Sequence, residues 1–71
     1  MLDALAAQQA RQLHQTIIRA DLPLAQLWWR YLSLGGNTGQ LEVEAYLHQA
    51  LDLPRSQREL LDHAAHELLT G

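Results

Sequence analysis

The stretch LWWRYLSLGGNTGQLEVEAYL, residues 27–47, decides the fold, because it holds two helical patterns and the break between them. Before the break, Leu24, Leu27, Trp28, Tyr31 and Leu32 recur at the three- and four-residue spacing that aligns side chains on one helix face. Gly35-Gly36 stops that helix, since glycine reaches the left-handed conformation of a helix C-terminus without a Cβ penalty. After the break, Asn37 precedes Gln40 by three residues, a capping-box spacing with Thr38 as the competing cap. The spacing predicts helices over about residues 23–34 and 39–51.

The two tryptophans of this stretch fall differently on the wheel. Trp28 lies in the apolar stripe and is expected in the core, whereas Trp29 is rotated by about 100° toward Gln26 and Ser33. At that margin Trp29 either covers the seam with the first helix or anchors a partner, as tryptophan often does at interface hot spots. The following helix is apolar on two sides, with Val43, Tyr46, Leu47, Ala50 and Leu51 on one and Leu41 and Ala45 on the other. Such a helix is either enclosed or paired.

Working outward, Leu2, Leu5, Ala6, Ala10, Leu13 and Ile17 form one stripe of a first helix over about residues 3–20, opposite Gln8, Arg11, Gln12, Gln15 and Arg19. Asp21-Leu22-Pro23 then supplies an N-cap and a proline suited to a first turn. Asp52-Leu53-Pro54 repeats the device, and Ser56 with Glu59 offers a second capping box for a fourth helix over about residues 55–69. The recurrence of Asp-Leu-Pro-x-x-Gln at residues 21–26 and 52–57 reads as one capping solution used twice, because the residues that follow do not match. The expectation is an all-α, compact four-helix domain over residues 1–71 with a helix-turn-helix-like centre.

Composition agrees. The chain has 71 residues, with 16 Leu, 10 Ala and 8 Gln but no Phe, Lys or Cys, so strong helix formers dominate. At this length a second domain is excluded and the core is thin. The missing cysteines remove disulfides, thiolate metal sites and thiol nucleophiles together. The formal charge of −3 is uneven: residues 1–35 carry three Arg against two Asp, and residues 36–71 carry six acids against two Arg. An acidic chain without lysine lacks the basic footprint of nucleic-acid or anionic-lipid binding, so neither nucleic acid nor membrane is an expected partner. No run approaches the roughly 20 apolar residues of a membrane span, and the N-terminus lacks a signal-peptide pattern, so a cytoplasmic location is expected.

The chemistry-bearing residues form no convincing centre. Glu59, His63 and His66 are the metal candidates, on one helix face with Asp62 beside them. Leu60, Leu61, Ala64, Ala65, Leu68 and Leu69 fill the opposite arc, so the histidine face is left to water and no metal or other cofactor is expected. His14 and His48 have no local partner. Glu42 and Glu44 point about 200° apart on a helix and cannot act on one substrate. The Gly35–Gly39 stretch lacks the lysine of a phosphate loop. A helix-turn-helix DNA-binding regulator is the alternative reading of residues 28–51, but Gln40, Glu42 and Glu44 at the start of its second helix would face phosphates with two carboxylates and no cation.

The tract Tyr31-Leu32-Ser33-Leu34-Gly35-Gly36, followed by Leu41-Glu42-Val43-Glu44-Ala45-Tyr46-Leu47-His48 and Leu53-Pro54, resembles a group of short helical proteins from actinobacteria. The resemblance spans about residues 31–69 and implies a small cytosolic bacterial protein; it brings no activity or site residue with it. The sequence therefore leads to an expected non-enzymatic, protein-binding regulator or adaptor whose partner is another protein or a second copy. Its candidate contacts are Trp29, Tyr46, Glu42 and Glu44, with Arg11 and Arg19 as electrostatic partners of an acidic patch.

Overall fold

The computed structural model describes residues 3–71, and among them the chain is all-α with four helices: α1 Ala4–Arg19, α2 Leu24–Ser33, α3 Gln40–Leu47 and α4 Arg55–Thr70. α2 packs chiefly on α4, while α1 closes the other side against α3 and α4. The radius of gyration is 10.8 Å, close to the roughly 11 Å of a compact chain of this length. Ala10, Leu13 and Ile17 from α1, Leu27 and Tyr31 from α2, Val43, Tyr46 and Leu47 from α3, and Leu61, Ala64 and Ala65 from α4 form one core. These are the positions picked out by the helical period. Leu5 departs from it: it is 66% exposed, because the first turn of α1 runs past the edge of the other helices, and only Ala6 at that end is buried. Leu2, predicted on the same stripe, lies outside the described residues.

The left-handed closure expected at Gly35-Gly36 is present, and the same device ends α1 and α3 at Asp21 and Gln49, where the cap reading did not anticipate it. After α1, Asp21 adopts φ +56°, the Asp21 N–H donates to the Ile18 carbonyl and the Leu22 N–H donates to the Ile17 carbonyl. After α2, Gly35 has φ +102°, with Gly35 N–H to Leu32 and Gly36 N–H to Tyr31. After α3, Gln49 has φ +59°, with Gln49 N–H to Tyr46 and Ala50 N–H to Ala45. All three are Schellman closures, which satisfy the carbonyls left open at a helix end. The third stops α3 at Leu47 rather than near residue 51, so Ala50 and Leu51 are exposed instead of lying in the core.

The predicted N-caps are replaced as well. Pro23, Gly39 and Pro54 stand at the N-terminal boundaries of α2, α3 and α4, and none makes a side-chain cap bond. Asp21 is taken by the end of α1, Ser56 lies inside the first turn of α4, and Asp52 pairs with Arg58 at 3.4 Å. Asp3 is a true side-chain cap, its carboxylate accepting from the Ala6 N–H at 2.7 Å.

The turn between α2 and α3 is held by a buried polar relay. The Tyr31 hydroxyl donates to Gln57 Oε1 on α4 and accepts from the Thr38 N–H at 3.1 Å, while Gln57 Oε1 also accepts from the Asn37 N–H at 3.1 Å. The Trp28 indole N–H donates to the Thr38 carbonyl at 2.9 Å. Trp28 is therefore half-buried against the core and turned toward this loop, rather than fully enclosed. Gly36 is required by contact: a Cβ there would penetrate the Tyr31 ring.

Candidate binding surfaces

A largely apolar recess lies where α1, the α1–α2 turn and α3 meet, a groove of about 350 Å³. Ile17 and Leu47 come from the core to its floor, and Leu22 and Leu24 are half-buried beside them. Ile18 stands on its lip, 63% exposed, because it follows Ile17 by 100° and so rotates off the core stripe. Glu44 and Asp21 add carboxylates to the rim, and neither forms an ion pair or side-chain hydrogen bond among the described residues. His14 and His48, which have no partner along the chain, meet here edge to face with ring centroids 4.8 Å apart. One turn along α3 from Glu44, Leu41 is 76% exposed. The second apolar side of α3 is thus open, not enclosed.

The other sequence candidates divide among different places. Trp29 is 65% exposed in a shallow recess with Gln26, Arg30, Ser33 and Leu68. It meets α4 there, rather than covering a seam with the first helix. Its ring packs on Trp28 at 5.0 Å. Glu42, Arg11 and Arg19 are exposed, and among the described residues none of them forms an ion pair. Tyr46 requires correction as a contact residue: it is 1% exposed, since the inner side of α3 turns it onto the core. Burial pushes its hydroxyl up to about 12, with the charges of Asp62 and Asp52 adding to the rise and Arg58 opposing it.

Arg58 is a joint the sequence reading passed over. Its guanidinium donates to Gln9 on α1 at 3.0 Å and to the Leu53 carbonyl at 2.7 Å, in addition to the Asp52 pair. Nearby, a recess between α1 and α4 takes Gln12, Thr16, Asp62 and His66. Loss of hydration raises the Asp62 carboxyl above its ordinary range, Arg58 opposes that rise and Glu59 adds to it.

The metal candidates stay apart. Glu59 pairs with Arg55 at 3.1 Å, His63 lies 3.1 Å from Glu67, and His66 lines the α1–α4 recess. Among the described residues no three histidine or acidic side chains converge in a metal-holding group, and no helix is long and apolar enough to cross a membrane. No family model, curated protein or solved structure matches the chain.

Proposed function

We propose that the chain is a non-catalytic protein-interaction module, a small cytoplasmic regulator or adaptor. The α1–α3 groove carries this reading. Ile18 is a large apolar side chain left in water beside an apolar floor, at a place where Asp21 and Glu44 supply free charge at the rim, and Leu41, one turn along α3 from Glu44, is exposed as well. An apolar centre with a charged margin is how protein interfaces are built. Trp29 offers a second, smaller contact with Leu68 as its apolar neighbour.

The groove is tested by Ile18→Glu, which places a charge on the lip without touching the core. In affinity capture from the native cell, specific proteins held by the parent chain should be lost by this variant, while circular dichroism stays unchanged. Retention of every captured protein by Ile18→Glu would move the contact elsewhere, with Trp29→Ala then the variant to examine. The rival regulator reading would place α3 in a major groove, yet its outer side offers Leu41, Glu42, Glu44 and His48 and no Arg. Salt-dependent, sequence-selective nanomolar binding to duplex DNA would reverse the choice.

A further inference from the structure

The α1 side of the groove has a polarity of its own. Arg11, His14 and Ile18 follow one another at i, i+3 and i+7, so they lie on one strip of α1, and Asp21 lies just past the end of that helix in the same groove as His14 and Ile18. Arg11 and Asp21 are ten positions apart, about 15 Å at the helical rise. Between them lie the His14–His48 ring pair and the exposed Ile18, and Glu44 adds a second carboxylate to the groove that Ile18 and Asp21 line, whereas Arg11 stands outside that groove. The strip is therefore cationic at one end, apolar in the middle and anionic at the other. Among the described residues none of these three charged side chains has an ion-pair partner within the chain.

A surface with that order is complementary to itself when turned by 180°. We infer that the occupant of the α1–α3 face is a second copy of this chain, docked with its α1 antiparallel so that Arg11 of each copy meets Glu44 and Asp21 of the other. A two-fold contact repeats each pairing twice, and the two Ile18 side chains come together near the axis, each reaching the apolar lip of the opposite groove. The size agrees with a modest dimer. α1 has 16 residues, about 24 Å, and α3 has 8, about 12 Å, each roughly 10 Å wide, which gives about 350 Å² per copy. That doubles to about 700 Å², below the roughly 1,000 Å² of a stable specific interface, so a weak, transient dimer is expected rather than a permanent one.

The inference rests on the interaction reading above but fails separately from it. Sedimentation of the full chain from about 1 µM to 1 mM at low salt is expected to show a monomer–dimer equilibrium in that range. Arg11→Glu and Glu44→Arg should each weaken it about tenfold, because the Arg11–Glu44 contact, made twice, then opposes like charges. Combined, they should restore dimerisation to within about threefold of the parent, which a general loss of structure would not do. Trp29→Ala should leave it unchanged. A chain that remains monomeric to 1 mM overturns the inference, as does a double variant no better than the singles, or a dimer abolished by Trp29→Ala. If self-association is absent while Ile18→Glu still releases captured proteins, the groove binds a different protein and only the second copy is ruled out.

Discussion

Tyr31 shows how much a single side chain can carry in a chain of this size. Its ring is fully buried under Gly36, and its hydroxyl joins the Thr38 N–H to Gln57 on α4. Tyr31→Phe keeps the ring and leaves the Thr38 N–H without that acceptor, so it should cost about 1–3 kcal/mol in a denaturant melt. Gly36→Ala should cost a similar amount by forcing the ring aside. The tryptophans should separate in the same assay: Trp28→Ala loses half-buried packing and the bond to the Thr38 carbonyl, about 2–3 kcal/mol, whereas Trp29→Ala should cost about 1 kcal/mol or less. The difference between adjacent tryptophans was legible in the sequence, because 100° of rotation separates stripe from margin. The partner of Tyr31 was not, since Gln57 lies 26 residues away and helical periodicity carries no information about which helix faces which.

Among the elements, periodicity placed α1, α2 and α4 within a few residues and glycine marked the end of α2, but the N-caps of α2, α3 and α4 were read by composition and geometry overruled them. Asp, Asn and Ser favour N-caps in general, yet here Asp21 and Gln49 close the preceding helices in left-handed conformation. Glutamine has little tolerance for that region, which is why nothing in the sequence marked Gln49 as the end of α3. Gln49→Gly should stabilise the chain by about 0.5–1 kcal/mol, net of the lost bond from its side chain to the Leu47 carbonyl. Asp21→Gly should gain less, since aspartate is better suited to the same conformation. Thermal melts of the two variants against the parent give the order directly; equal or negative effects would mean that the unfolded chain, not the turn, sets the balance.

For the whole molecule, the partly desolvated Asp62 and the buried Tyr46 set how stability follows pH. Asp62 has its proton held more tightly in the folded chain than in the unfolded one, so the native state binds more protons between the ordinary aspartate value and the raised one. Stability should therefore increase as pH falls through that window. Asp62→Asn should raise the melting temperature at neutral pH, and its advantage should fade as pH drops below the ordinary carboxylate range. Tyr46 acts at the other extreme: its hydroxyl ionises near 10 when unfolded and about 12 when folded, so stability should fall across that interval, by at most about 3 kcal/mol. Tyr46→Phe should flatten that alkaline loss. The all-α class followed from local pattern alone, but the α1–α3 groove did not, because His14 and His48 are 34 positions apart and only the packing of two helices brings their rings together.

Both tryptophans sit on α2, with ring centroids 5.0 Å apart and planes inclined by 58°, and neither lines the α1–α3 groove. Two indoles so close and so inclined couple their transitions, so the near-ultraviolet circular dichroism should carry a paired band that vanishes in either single alanine variant. Excitation passes readily between them, and the solvated Trp29 should set the emission colour of the pair. Trp28, held by the Thr38 carbonyl, makes the band sensitive to loosening of the Gly35–Gly39 turn. An occupant of the α1–α3 groove touches neither ring. The chain therefore has a built-in optical gauge of its central turn that is blind to docking on α1 and α3, and titrations followed by tryptophan emission would read as silent even at saturation.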